Sequence, residues 1–495
     1  MRIQIVMRLI GGLLLIIAGV TVIPFLYGIT IGEVYWSFPV TAVAIALLGG
    51  LLVYFGEKSN SYSLRDGFLV VSAMWVLSAL FMAVPFYASH IIPHFTDALF
   101  ESTSGITATG ASIIDDVDSL PKSFILWRSL THWLGGMGIV VLMLAFLRNL
   151  GADSAHLFNA EASVPRPGVI LPRIQSTASK LWRIYIAFTV MCCLALWLAG
   201  MNFFDSLNFT FSTIATGGFA PTSSGLFAYK DDTLIRVIFI IFMILAGGNF
   251  TVYDKVLRHG PMEIIRDYEY RMYLIVLAIG ILIIMFARVM QQGDSLGGAF
   301  SDSAFMLISM QTGSGFALSD YDYWAPLAQM MLFLSTFFGG CSGSTTGGIK
   351  IIRIIILIKS GIIYLRKSIH PELVQAVRLS GKVLPAKWIQ LSQQFFFLYM
   401  LVFAVSAVGI AGTGLSVGES LQCVAGILGN VGLAFGTLGP TDSFSVLHPF
   451  AKWICVVDML LGRLELFTLL VLLHPGFWRG YFVKRHKQSY RIVSE

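Results

Sequence analysis

Asp97-Ala-Leu-Phe-Glu-Ser-Thr-Ser-Gly-Ile-Thr-Ala-Thr-Gly110 runs from an acidic start to a small, hydroxyl-rich tail, and its spacing returns three more times in the chain. An acid stands thirteen positions before a glycine at Asp97 and Gly110, Asp205 and Gly218, Asp302 and Gly315, and Glu419 and Gly432, with no gap needed. The residues before each glycine are Thr107-Ala108-Thr109, Ala215-Thr216-Gly217, Thr312-Gly313-Ser314 and Gly429-Asn430-Val431. One such loop between apolar segments is ordinary, but four at one internal spacing form a repeat. The geometry it suggests is a short helix entering the membrane, followed by an extended strand that turns back. Four such strands in a ring make a cation filter lined by backbone carbonyls.

Composition supports a membrane setting. Of 495 residues, 56% are hydrophobic and 12% charged, whereas soluble domains carry about 25% charged residues. The mean hydropathy is +0.78. The five cysteines (Cys192, Cys193, Cys341, Cys423, Cys455) are scattered through apolar or glycine-rich segments, which is neither a disulfide framework nor a zinc spacing. Runs long enough to span, about 20 residues each, fall at 8–29, 36–56, 67–89, 124–147, 182–202, 233–253, 271–290, 324–338, 388–411 and 447–473. The first pair holds no filter loop, and the first run, behind Arg2 and Arg8, reads as a membrane helix rather than a leader. The other eight group into four helix–loop–helix units.

The expected fold class is therefore an all-α polytopic membrane protein, with four tandem helix–pore loop–helix repeats around a pseudo-fourfold pore and two extra transmembrane helices in front. The expected division is 1–64 for the extra pair, 65–150 for the first repeat, 151–180 for a linker and 181–260 for the second repeat. Residues 261–370 form the third repeat, 371–386 a second linker, 387–475 the fourth repeat and 476–495 a basic tail.

Most of the 33 basic residues fall on one side of this arrangement, including Arg2, Lys58, Arg148, Lys255, Lys350, Arg366, Lys387 and Arg485. Cytoplasmic loops carry such an excess, so both termini are expected in the cytoplasm and the filter loops outside. The net charge of +6 follows from that rule and does not call for nucleic acid. Acids gather on the filter side (Asp115, Asp116, Asp118, Asp231, Asp232, Asp320, Asp322 and Asp442), where they either are simple solvated loop charge or form a funnel that concentrates cations.

Asp97, Asp205, Asp302 and Glu419 suit the first turn of the short helices, whose negative dipole ends then point at the pore. Gly110, Gly218, Gly315 and Gly432 supply backbone angles that other residues reach only at a cost. Backbone carbonyls at Thr107, Thr109, Thr216, Thr312 and Asn430 are the expected ligands for a dehydrated cation. None of the loops has the TVGYG of strict potassium channels, and the fourth strand differs most, which predicts weaker discrimination between ions of similar size. Glycines recur 25–30 positions on, at Gly135-Gly136, Gly247-Gly248, Gly339-Gly340 and Gly462, as close helix contacts or hinges. His132 and Asn249 beside them read as packing groups.

Two features suggest a gate. Gly339-Gly340-Cys341-Ser342-Gly343-Ser344-Thr345-Thr346-Gly347-Gly348 cannot continue a helix at acceptable cost. Irregular backbone at that depth is tolerated only against protein or a cavity. Arg463, read as the middle of a spanning helix, is costly there and faces a cavity. It is expected to repel a resting ion and to hydrogen-bond the glycine loop, with Asp458 and Glu465 as candidate ion-pair partners.

The loop at 339–350, His132-Trp-Leu-Gly-Gly-Met-Gly, Gly247-Gly-Asn-Phe, Gly462-Arg-Leu-Glu and the four repeats resemble the Trk/Ktr/HKT superfamily of potassium transporters. The extra helices and the length make the chain similar to its TrkH-type membrane subunit rather than the shorter KtrB type. The resemblance implies potassium uptake in a bacterial inner membrane, a homodimer with one pore per subunit, and a TrkA-like cytoplasmic ring. That ring would bind a nucleotide, NAD(H), ATP or ADP, and control opening. In this chain no dinucleotide or P-loop fingerprint occurs, so no cofactor is expected beyond K+ as cargo. The filter residues carry over to 107–110, 215–218, 312–315 and 429–432, and the gate to 339–348 and Arg463. Symport with H+ or Na+ is the alternative mechanism. A membrane-embedded enzyme would need a polar catalytic constellation at depth, and a sensor or scaffold would not need four filters.

Overall fold

The computed structural model describes residues 3–58, 63–138, 172–379, 381–440 and 442–478. Helices α1 (Ile3–Ile31) and α2 (Ser37–Phe55) form a hairpin in which Gly11 and Gly49 sit on each other. A side chain on Gly11 would begin 2.6 Å from the Gly49 carbonyl oxygen, so the pair packs backbone to backbone. The turn after α1 has a second job. The Glu33 carboxylate accepts from the amides of Lys122 and Ser123, which supplies the cap that Pro121 cannot give to α5 (Lys122–Gly136).

The rest of the chain alternates long helices with short ones. The long helices that precede the filter stretches are α3 (Leu64–Ala88), α6 (Pro172–Leu198), α11 (Tyr268–Gln292) and α15 (Ala386–Ala411). The short helices are α4 (Phe95–Thr107), α7 (Phe203–Ala215), α12 (Leu296–Gln311) and α16 (Val417–Leu428). Side chains set where three of them start: Asn202 caps α7, Ser295 caps α12, and Ser416 and Glu419 form a capping box on α16. Asp97, Asp205 and Glu419 lie in first turns. Asp302 does not. Ser295 starts α12 seven residues earlier, and Asp302 instead meets Arg236 at 3.2 Å and Arg288 at 3.1 Å.

Of the helices that follow the four repeat stretches, the third is interrupted as expected, and the others described also stop short of the spans predicted for them. Helix α5 ends at Gly136, and residues 139–171, with most of the first linker, lie outside the described residues. The predicted span 233–253 breaks into α8 (Thr233–Gly247) and α9 (Phe250–His259), bent by 99°, and the short α10 (Met262–Arg266) follows. The third unit has α13 (Pro326–Ser335), a loop, then α14 (Ile351–Ile369). The run 447–473 breaks into α17 (Pro449–Arg463) and α18 (Phe467–Leu473). Glu465 and Leu466 at that break have φ of +53° and +60°. Six described helices are long and apolar enough to cross a membrane, or seven if the bent pair counts as one. Of the ten runs expected, 233–253 and 447–473 break, 324–338 carries only the ten-residue α13, and 124–147 extends past the described residues. The linker at 371–386 also holds a hairpin of β1 (Arg378–Leu379) and β2 (Lys382–Val383), the one departure from an all-helical architecture among the described residues. The basic tail lies outside the described residues from 479 on.

Candidate functional site

All four short helices end in the same way. The amides of Ala108, Thr216, Gly313 and Asn430 bond back three residues, each at 3.1 Å. The next amides, of Thr109, Gly217, Ser314 and Val431, bond back five residues to Ser104, Ser212, Ser309 and Gly426 at 2.8–2.9 Å. Such a terminus needs a left-handed residue, and φ is +53°, +57°, +69° and +53° at 108, 216, 313 and 430. Only the third of these is glycine. Two residues on, Gly110, Gly218, Gly315 and Gly432 are left-handed again, at +87°, +88°, +64° and +74°. The sign of φ thus alternates along each strand, and the two amides at its first left-handed turn are occupied by the helix behind them.

The four glycines close a ring. A Cβ on Gly110 would lie 2.0 Å from the Gly217 oxygen, one on Gly218 2.6 Å from the Ser314 oxygen, and one on Gly315 2.1 Å from the Val431 oxygen. One on Gly432 would lie 2.1 Å from the Thr109 oxygen, which returns to the first strand. Hydroxyls line the approach: Thr107 and Thr109 are 2.7 Å apart, Thr312 and Ser314 2.9 Å, and Thr216 donates to the Ala215 carbonyl at 2.6 Å. The irregular fourth strand follows the common backbone pattern. Asn430, a residue type that tolerates left-handed backbone, donates to Thr109 Oγ1 at 2.9 Å and to the Met459 carbonyl at 3.0 Å. His132 stacks on Phe219, with ring centroids 4.1 Å apart, and packs against Gly217.

On one side of the ring lies a cavity of about 390 Å³ lined by all four glycines, Arg128 and several phenylalanines. Asp442 lines it too. Nearby, hydrogen bonds from Ser443 and Ser445 hold the Asp115 carboxyl below its usual range, whereas burial raises that of Asp322.

On the other side lies the loop between α13 and α14. Gly347 packs on the fourth strand, where a Cβ would come within 2.5 Å of the Gly429 oxygen. The loop is pinched at its neck by Gly339 N to Ile349 O at 2.9 Å and Ile349 N to Phe337 O at 3.0 Å. Its tip bonds the broken α8–α9 helix. The Cys341 amide donates to the Gly247 carbonyl at 2.9 Å, and the Phe250 amide donates to the Gly343 carbonyl at 3.2 Å. The Glu269 carboxylate accepts from the Ser342 amide at 2.5 Å. Within the loop, the Gly340 amide and the Ser344 hydroxyl both meet Thr346 Oγ1, and Gly348 is left-handed at +67°. Asn249, expected as a packing group, caps α9 by accepting from Thr251 N.

Arg463 is the last residue of α17, not the middle of a helix. It donates to the Thr345 carbonyl at 2.6 Å and to the Gly135 and Gly136 carbonyls at 2.6 and 2.7 Å. A guanidinium at the end of α5 satisfies orphan carbonyls and the negative dipole end together. Of the acids expected near it, Glu465 meets Arg353 at 2.6 Å, and Asp458 accepts from Ser406 at 2.9 Å.

The family model described as TrkH, cation transport protein, matches residues 38–477. The chain belongs to this family. It is 36% identical to the Trk system potassium uptake protein TrkH of Salmonella typhimurium over 489 residues, 97% of this chain and all of that relative. It is also 36% identical to the Trk system potassium uptake protein TrkG of Escherichia coli over 90% of this chain and 92% of that one. The crystal structure of the potassium transporter TrkH from Vibrio parahaemolyticus superposes with a TM-score of 0.87 at 32% identity, covering 97% of this chain and all of the other. The all-helical membrane fold and a transport role, rather than an enzymatic one, follow from membership.

In this TrkH-family chain, sequence reading passed over the pair Glu101 and Arg128. Their carboxylate and guanidinium meet at 2.8 Å with side chains 0% and 2% exposed. The rule applied to Arg463, that a charge inside an apolar run is functional until explained, would have found Arg128 within 124–147.

Proposed function

We propose that this chain carries potassium into the cell through the glycine ring, as its relatives' names describe for them, in a bacterial inner membrane with both termini cytoplasmic. The observation that carries this reading is the ring itself: four strands of one backbone pattern, closed glycine on carbonyl. In this reading the oxygens of residues 107–110, 215–218, 312–315 and 429–432 replace the water that an ion sheds. The C-terminal ends of four helices, about half an elementary charge each, lower the cost of holding it. The cavity beyond the ring is the outer mouth, and Gly339–Gly348 with Arg463 is the gate beneath. A cation at Arg463 opposes an ion at rest, and its hydrogen bond to the Thr345 carbonyl keeps the loop across the path while its bonds to Gly135 and Gly136 tie it to the end of α5.

An inside-negative voltage supplies about 2.3 kcal/mol per charge per 100 mV. At about 1.4 kcal/mol per tenfold this sustains roughly fortyfold accumulation, so no chemistry by this chain is required. Opening is assigned to a TrkA-like cytoplasmic ring that binds nucleotide, acting on a homodimer through the basic cytoplasmic segments. A coupled mechanism has one supporting observation: Asp458 is 2% exposed and its Oδ2 has no hydrogen-bond partner among the described residues, as a proton carrier needs. Uptake that stays constant when proton and sodium gradients are collapsed at fixed voltage excludes it.

The test of the main reading is rubidium flux into liposomes holding wild type, Arg463→Ala or Gly315→Ser. Arg463→Ala is expected to conduct about tenfold faster and Gly315→Ser to change ion preference. Wild type with no flux, alone or with the cytoplasmic ring, overturns the pore.

A further inference from the structure

Glu101 and Arg128 are 1% and 2% exposed and lie behind the first filter strand. A buried ion pair is net favourable only when further hydrogen bonds satisfy what the pair leaves over. Here those bonds go to the segments that leave the ring. The Glu101 carboxylate accepts from Ser112 Oγ at 3.1 Å and from the Ile113 amide at 3.0 Å. Arg128 donates through Nη2 to Ser112 Oγ at 3.1 Å and through Nη1 to the Ala220 carbonyl at 3.3 Å. Its Cζ lies 4.2 Å from the Phe219 ring centroid. Ser112 and Ala220 each stand two residues beyond a ring glycine, Gly110 and Gly218. The Ser112 carbonyl also takes the Phe444 amide at 2.8 Å, so the same pivot reaches the outer loop of the fourth unit.

Beside the ring the other two exits are held by hydroxyls, and carboxylates enter farther along the fourth, where Asp322 accepts from the Gly436 amide at 3.1 Å and Glu419 from the Thr437 hydroxyl at 2.7 Å. Ser309 Oγ donates to the Phe316 carbonyl at 2.6 Å, and the Tyr321 hydroxyl donates to the Ala434 carbonyl at 2.5 Å. Each of these touches one strand. Arg128 reaches two, and only a planar fork with several fixed donors does so from one side chain. It also lines the cavity above the ring, where its charge would repel an arriving cation if Glu101 did not neutralise it.

We propose that Arg128, held by Glu101, is a positioning residue that sets the spacing of the first and second filter strands and thereby the discrimination between potassium and sodium. This rests on reading the ring as an ion filter. The geometry of the fork matters as well as its charge, so lysine does not replace it.

The experiment measures rubidium uptake by full-length protein in liposomes, with potassium or sodium as competitor, and reads the ratio of the two inhibitory concentrations. The variants are Arg128→Lys, Glu101→Gln and the double change Glu101→Met with Arg128→Met. The double change removes both charges together, which buried pairs tolerate better than loss of one partner, and so guards against simple misfolding. The expected result is a ratio at least fivefold closer to one in Arg128→Lys and in the double variant, with rubidium flux above that of empty liposomes. Glu101→Gln is expected to lower uptake as well, since it leaves a cation at the mouth. A monodisperse double variant whose ratio stays within twofold of wild type overturns the proposal, as does full rescue by Arg128→Lys. Gly315→Ser separates the two levels. If it moves the ratio and the Arg128 variants do not, the positioning role fails alone; if none moves it, the filter reading fails.

Discussion

The glycine ring and the loop beneath it are both glycine-rich and buried, yet they are held by different sets of bonds. In the ring each member packs backbone on backbone, with 2.0–2.6 Å between a would-be Cβ and the next carbonyl oxygen, and the four links are alike. The loop shares that close packing at Gly340 and Gly347, 2.3 and 2.5 Å from the Gly247 and Gly429 oxygens, but it is held as well by unlike bonds from Arg463, Glu269, Lys350, the break between α8 and α9, and its own hydroxyls. Uniform backbone contact leaves no slack, so the ring has one arrangement. Separate bonds of unlike kind can be broken one at a time, which suits the loop to the gating role proposed for it. A filter needs the first property and a gate the second.

The contrast is tested most severely at Gly432. Gly432→Ala places a methyl 2.1 Å from Thr109 O at a φ of +74°. Overpacking costs about 1–3 kcal/mol, and left-handed strain a further ~1–2 kcal/mol. We expect at least tenfold lower rubidium flux and a lower melting temperature of the purified protein; normal flux and stability would mean that the ring has slack after all. In the loop, Glu269→Gln weakens a charge-assisted bond to Ser342, worth about 1 kcal/mol net of what the amide retains. Resting flux should rise two- to fivefold with stability nearly unchanged, and unchanged flux would remove Glu269 from the latch. The mildest change is Asn430→Gly. It relieves left-handed backbone but deletes the bonds to Thr109 and Met459, so a two- to threefold shift in ion preference without loss of flux is expected. No shift would mean that the backbone alone defines the fourth strand.

How much of this was legible follows from what each residue type can signal. The ring glycines were visible because few other residues fit a close carbonyl at positive φ, so the constraint leaves a letter in the sequence. The left-handed residues two positions earlier were not, because Ala108, Thr216 and Asn430 carry ordinary side chains and the constraint there comes from the helix end. The acid–glycine spacing located three helix starts and misled on Asp302, where Ser295 is the stronger cap and the acid serves Arg236 and Arg288. The glycine run at 339–348 showed one break in the apolar runs, but those at Gly247-Gly248 and Gly462 were missed, since both read equally well as close helix packing. Arg463 stood out as a charge in an apolar run, but its three carbonyl partners come from 118 and more positions away in the chain. Such partners are a product of tertiary packing.

The bond between loop and broken helix carries one more consequence. Where α8 ends, the Gly247 carbonyl and the Phe250 amide have their partners in the loop, at Cys341 and Gly343. Inside a bilayer an unpartnered backbone group costs several kcal/mol, so the loop cannot withdraw into a dry space. Water must arrive to take its place on those groups. If the loop is the gate proposed above, opening and hydration of the passage are a single event, and the same molecules that release the latch also solvate the ion that leaves through it.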